Sequence, residues 1–163
     1  MTNYISDDLA SILREQVKNE VTNSLLYWYI GGNLRNRGLN NIAKFFDEDQ
    51  RLEETTHALL FYKLLTDLNT PFDFQEIDAI NFPIDKISDI SEKFIEREIG
   101  TTESIEEILA LAEKEGNSIV VEFCRMMLAK QQGEMEEAYD FSDKAGLCSD
   151  DWWKVMLWDA NFE

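Results

Sequence analysis

The chain is poor in the residues that interrupt helices. Its two prolines, Pro71 and Pro83, fall in one short region, and there are only seven glycines in 163 residues. Two long proline-free arms remain, residues 1–70 and 84–163, as a mostly helical protein requires. Cys124 and Cys148 are too few for a disulfide framework and form no Cys-x-x-Cys pair. No uninterrupted apolar run approaches the ~18 residues that span a bilayer, which argues against a membrane partner. The opening Met1-Thr2-Asn3-Tyr4-Ile5-Ser6-Asp7-Asp8 has no basic region leading into an apolar one, so no signal peptide is expected and the expected location is cytoplasmic. Basic residues are outnumbered, 15 against 33 acidic, for a net charge of −18. Neutralising phosphates needs a basic surface, so a nucleic-acid partner is excluded; an acidic surface draws cations instead. Scarcest of all is histidine, with His57 alone.

What is present is apolar enough to fold. Hydrophobic residues make up 44% of the chain, and its length suits a single domain over residues 1–163 with a substantial core. Periodicity and capping residues predict helices over roughly 6–34, 40–68, 88–114, 118–145 and 150–159. Ser6-Asp7-Asp8 opens the first, Asn69-Thr70-Pro71 closes the second, Gly116 and Asn117 separate the third from the fourth, and Ser149-Asp150-Asp151 caps the short fifth. Residues 71–84 have no helical period but several large apolar side chains. They read as a long ordered crossover that lets the second and third helices run in the same direction. The expected class is all-α: a four-helix bundle with a long crossover between helices 2 and 3 and a short fifth helix.

Each long helix places polar residues within its apolar stripe: Glu20, then Glu54 and His57, then Glu98, then Gln131 and Glu134. A lone buried carboxylate must be paired, protonated or metal-bound, and one on every helix is hard to explain as packing. Glu54 and His57, three apart on a helix, can close on a single ion. Oxygen donors with one imidazole suit iron or another divalent first-row metal better than a thiolate-rich zinc site. From Glu20 the chain runs 34 residues to Glu54 and 37 to His57; from Glu98 it runs 33 to Gln131 and 36 to Glu134. The two halves repeat one design, which facing each other would make a two-metal centre, with Glu54 and Glu98 placed to involve the second ion. Cys124 reads as a small core residue.

These residues resemble the ferritin family, the non-haem members of the ferritin-like di-iron superfamily. Glu20-Val21-Thr22-Asn23-Ser24-Leu25-Leu26-Tyr27 is similar to the family's first-helix motif, and Ala43-Lys44-Phe45-Phe46 with Glu53-Glu54-Thr55-Thr56-His57-Ala58 to its second. Glu98 and Gln131 stand where the third- and fourth-helix ligands fall. The resemblance implies an iron-storage subunit with ferroxidase activity, an oxidoreductase acting on Fe(II) with dioxygen or peroxide and storing Fe(III) as mineral. Two irons per subunit are implied: one held by Glu20, Glu54 and His57, the other by bridging Glu54 with Glu98. Gln131 would be a hydrogen-bond donor or weak ligand, and Tyr27 would supply an electron or stabilise an intermediate. Self-assembly into a homo-24-mer is implied, with residues 152–158 near a four-fold axis or, equally, packed over the end of the bundle.

Departures from the family pattern shape the rest. Thr55 follows Glu54 where bacterioferritins carry a haem-binding methionine, and Glu134 stands where a second histidine would fall, so no haem is expected. A third iron site would draw on the fourth helix, where Lys130 and Gly133 stand, leaving Glu53 and Glu134 as its remnants. Residues lining the entry pores of animal ferritins align near Val121 and Cys124, with Glu122 adjacent. Within the same fold the alternative is a di-iron oxidase or peroxidase that stores nothing, although such enzymes usually carry a second histidine pair. A mini-ferritin would have its site between subunits and no fifth helix. A non-enzymatic shell subunit would have no need to keep all four helices' ligands.

Overall fold

In the computed structural model, which describes residues 4–163, Ser6 accepts a hydrogen bond from Leu9 N–H at 3.0 Å and opens the first helix. Met1 to Asn3, part of the stretch read for a leader, lie outside the described residues. Helix α1 (Asp7–Arg35) starts with Asp7 and Asp8 where the helix dipole favours them. It turns through Gly38, whose φ of +78° is the left-handed conformation that glycine adopts freely. The second helix, α2, is three contiguous stretches: α-helical Asn40–Lys44, a π-helical turn at Phe45–Gln50, and α-helical Arg51–Asp67. Helix α3 (Ile87–Glu115) stops at Gly116 in the left-handed conformation. Helix α4 (Ser118–Leu147) begins where Asn117 accepts from Val120 N–H, and α5 (Trp152–Asp159) where Asp151 accepts from Trp153 N–H. Every limit lies within two residues of its sequence-based expectation.

Two apolar clusters show how the helices run. One joins the start of α1 (Leu9, Leu13), the end of α2 (Phe61, Leu65), the end of α3 (Ile105, Ile108) and the start of α4 (Val120, Met127). The other joins the end of α1 (Tyr27, Ile30), the start of α2 (Ile42, Phe46), the start of α3 (Ile90, Phe94) and the end of α4 (Ala138, Phe141). So α2 and α3 run the same way, opposite to α1 and α4. That requires the crossover, whose residues 71–84 have no regular structure. Phe72 packs on the first cluster, and Ile80, Phe82 and Ile84 pack on the second. Its backbone is held by donors from α1 and the turn after it: Arg14 Nε to Pro71 O at 2.8 Å, Tyr29 OH to Phe82 O at 2.7 Å, and Arg37 to Ile84 O.

The π turn in α2 is the one departure from the expected second helix. An inserted residue rotates everything after it by about 100°, since each helical residue advances by that angle. With the turn in place, Ile42 and Phe46 before it and Glu54 and His57 after it are all buried. The turn also brings Asp47 against α1, where a Cβ added to Gly31 would meet Asp47 Cβ at 2.3 Å. Arg35 clamps the contact with two hydrogen bonds to Asp47, at 2.6 and 2.8 Å.

Helix α5 lies over one end of the bundle. Val155 and Asp159 are buried, and Trp158 packs on Phe141. Asp159 Oδ1 accepts from the N–H groups of Asn41 and Ile42, at 3.0 and 2.8 Å, and so caps the start of α2. Trp153, Met156 and Leu157 face outward.

Candidate metal centre

Between the two apolar clusters lies a band of buried polar side chains. Glu20 of α1, Glu54 and His57 of α2, Glu98 of α3, and Gln131 and Glu134 of α4 are all 3% exposed or less. Helical spacing explains the convergence: each sits on the stripe that carries its helix's core residues, midway between the bundle's ends. Glu134 lies well inside α4 and is as buried as the others.

Three groups of ligand atoms, each within 4.8 Å of one another, occupy this band: Glu20, Glu54 and His57; Glu54, Glu98 and Glu134; and Glu53, His57 and Glu134. Glu54 belongs to the first two. Glu53 is exposed, and its group reuses His57 and Glu134. Lys130 is near enough to act electrostatically on both Glu53 and His57. Val121 and Cys124 are buried in the first apolar cluster, while Glu122 is exposed beside Arg125.

Hydrogen bonds saturate some of these groups and leave others open. Glu98 accepts from Tyr27 OH through Oε1 and from Gln131 Nε2 through Oε2, the latter at 2.6 Å. Gln131 therefore meets the centre through Glu98. Glu20 Oε1 accepts from Gln16 Nε2 at 2.8 Å, and Glu54 Oε2 from Asn23 Nδ2 at 3.1 Å. By contrast Glu20 Oε2, Glu54 Oε1, His57 Nδ1 and both oxygens of Glu134 are buried without a hydrogen-bond partner. His57 Nδ1 lies 3.8 Å from Glu54 Oε1, and His57 Nε2 lies 3.1 Å from Glu134 Oε1.

Burial sets the protonation of the metal-free centre. It raises the pKa of Glu98 to about 7 and that of Glu134 to about 9, with neighbouring carboxylates adding to the latter. Glu54 is pushed well above the usual range by burial and then by Glu20. Glu20 is raised by burial against the hydrogen bonds it accepts. His57 is lowered to about 4 by burial and then by Lys130, so the imidazole is neutral and able to ligate. Tyr27 is raised well above its ordinary value by burial and by Glu98. Buried polar atoms without partners are rare and expensive. Five of them converging from three helices, all carboxylate oxygen or imidazole nitrogen, fit divalent metal ions of the first transition row.

The residues that buttress these ligands were not among those singled out in the sequence. Gln16 and Asn23 flank Glu20 at i−4 and i+3 on the same stripe, and Thr101 and Arg97 answer from α3. Their signal was present as two more polar residues in an apolar stripe, but each amide's partner on α3 is 74 or more positions away, too far for one sequence to reveal.

A four-helix bundle with a long crossover and a short fifth helix, built around a buried band of carboxylates and one imidazole that could hold metal ions, defines a ferritin-like bundle protein. A family model described as a ferritin-like domain matches residues 10–146, and the chain belongs to the ferritin family. Ferritin BfrB of Mycobacterium tuberculosis is 24% identical over 139 residues, covering 83% of this chain and 76% of that protein. Ferritin BfrB of Mycolicibacterium smegmatis is 26% identical over the same length and coverage. Among solved structures, an open-pore ferritin from the archaeon Archaeoglobus fulgidus superposes with a TM-score of 0.91 at 21% identity, covering 98% of this chain and 97% of that one.

Proposed function

We propose that this chain is the subunit of an iron-storing cage that oxidises Fe(II) at the buried band and deposits Fe(III) as mineral inside. The observation that carries the reading is the set of unpartnered ligand atoms on Glu20, Glu54, His57 and Glu134, converging where no water-facing surface explains them. Glu20, Glu54 and His57 would take one Fe(II), and Glu54, Glu98 and Glu134 the second. Glu54 joins the two, which holds the ions close enough to deliver electrons to one oxidant. Each Fe(II) gives up one electron, and dioxygen or peroxide takes up the electrons together with protons. Tyr27, hydrogen-bonded to Glu98, is the oxidisable side chain at the centre. Gln131 holds the second oxygen of Glu98.

Assembly into a homo-24-mer is supported by apolar surface that a lone subunit leaves open. Leu52, Leu59, Tyr62 and Phe74 on α2 and the crossover are exposed, beside a groove of about 450 Å³ lined by Val17, Val21 and Phe72. The outward face of α5 is a second such surface.

Anaerobic Fe(II) titration of the purified protein should saturate near two ions per chain before mineral forms. On admitting air, Glu54→Ala should lose fast oxidation by 10²-fold or more (roughly the scale on which losing a group that orients reactants slows a step); unchanged kinetics would remove Glu54 from the site. Storage is tested by mass: a particle no larger than a dimer under assembly conditions would rule out a cage and leave a di-iron oxidase or peroxidase that stores nothing.

A further inference from the structure

Two buried amides on α1 stand between the ligand carboxylates and a solvent-facing pocket. Gln16 donates through Nε2 to Glu20 Oε1, and its own oxygen accepts from Ser104 Oγ at 2.6 Å. Asn23 donates through Nδ2 to Glu54 Oε2 at 3.1 Å and to Thr101 Oγ1 at 3.0 Å, and its oxygen accepts from Arg97 Nε at 2.6 Å. Arg97, Thr101 and Ser104 line an open pocket of about 210 Å³ together with Asn19, Glu96 and Gly100.

The Asn23 arrangement admits one orientation. A guanidinium only donates hydrogen bonds, so the amide oxygen must face Arg97 and the NH₂ must face Glu54. Asn23 is fully buried, and turning the amide over would leave a donor against a donor and a carboxylate oxygen facing a carbonyl. Rotation of Glu54 is thereby stopped with Oε2 tied to α1 and Oε1 free, 3.8 Å from His57 Nδ1. A carboxylate oxygen has two acceptor directions, so Oε2 can hold the amide and still face an ion.

Resting on the two-metal reading above, we propose that Asn23, locked by Arg97, is a positioning residue that fixes the Glu54 carboxylate across both ion positions. Asn23 touches neither ion position; it acts through Glu54. Gln16, locked by Ser104, does the same for Glu20. Glu20 belongs to one ligand group and Glu54 to two, so the two locks have different reach. Losing the Asn23 lock disturbs both ions, and losing the Gln16 lock disturbs one. A polar pair serving only to pack α1 on α3 would show no such difference.

The test is anaerobic titration of the assembled protein with Co(II), followed by visible absorption, which reads the ligand geometry without turnover. Asn23→Leu should weaken both binding steps by about 10- to 100-fold, the range usual for removing a ligand's hydrogen-bond partner, and should alter the bands of both ions. Gln16→Leu should weaken one step and leave the other within twofold. Arg97→Met should shift the same two steps as Asn23→Leu, and the double variant should be no weaker than Asn23→Leu alone. Binding and bands in Asn23→Leu identical to the unaltered protein would overturn the proposal, as would losses that multiply fully in the double variant. If Asn23→Leu fails to fold, Arg97→Met decides, because its side chain is only half-buried: unchanged affinity and bands overturn the lock. Should the unaltered protein take up no Co(II), the two-metal reading itself falls; uptake of two ions by every variant alike sinks the lock alone.

Discussion

At the scale of single residues, the centre is a set of groups whose burial opposes their charge. The folded metal-free chain keeps protons on Glu98, with its pKa at about 7, and on Glu134, at about 9, whereas unfolding returns both toward 4.5. Folded-state values raised in this way contribute stability that is fully present below about 4.5 and is lost progressively as pH climbs from there to the folded value. His57 works in the other direction: lowered from 6.5 to about 4, it withdraws stability as pH falls through that interval. The metal-free protein should therefore melt at progressively lower temperature from about pH 4.5 to 9, partly offset by His57 below 6.5. Glu134→Gln should flatten that fall, most visibly above pH 7, where Glu98 has already lost its proton. Zn(II), which takes carboxylates only once deprotonated, should raise the melting temperature more at the alkaline end. A metal-free melting curve that rises over this span would contradict the protonation scheme. Glu20, Glu54, His57, Glu98 and Glu134 were readable from spacing because helical periodicity alone places them on one side. Gln16, Asn23 and Arg97 were not, because an amide in a stripe acquires meaning only from the partner that another helix brings to it.

At the scale of elements, helix limits were legible because they are written locally. Ser6, Asn117 and Asp151 accept from backbone N–H groups two or three residues on, and Gly38 and Gly116 turn the chain with positive φ. The π turn at Phe45–Gln50 had no such signature. One extra residue in a turn changes register without changing composition, and the stripe through Phe46, Gln50 and Glu54 reads as ordinary four-residue steps. Its trace lies elsewhere, at Gly31, the position that lets Asp47 close on α1. Gly31→Ala must push α1 and α2 apart by backbone movement, because the atom it meets is the Asp47 Cβ and not a flexible side-chain end. Overpacking of this kind destabilises by about 1–3 kcal/mol, which urea denaturation should register with an unchanged m-value. The strain falls about two turns ahead of Glu54, so the variant should also bind its first Co(II) more weakly than the unaltered protein. A neutral Gly31→Ala would mean that the π turn relaxes freely and is not held by the close approach.

At the scale of the whole molecule, the subunit's surface poses two opposed conditions for assembly. Each chain carries −18, so bringing many copies together raises a repulsion that salt must screen over a Debye length of about 30 Å at 0.01 M and 3 Å at 1 M. Against this stand the exposed apolar faces, of which α5 is the most isolable. Its inner side is committed: Val155 is buried, Trp158 lies on Phe141, and Asp159 caps α2. Its outer side presents Trp153, Met156 and Leu157, with Leu147 exposed just before it, and no described residue covers them. Replacing both Trp153→Glu and Leu157→Glu leaves the inner contacts intact, so helicity and the uptake of two Co(II) per chain should be preserved. The mass measured by light scattering should drop from that of the proposed cage to small oligomers, and raising salt should recover larger species in the unaltered protein more readily than in the variant. A full-size cage formed by the double variant at moderate salt would show that α5 is a lid over its own bundle and that the α2–crossover face alone holds the copies together.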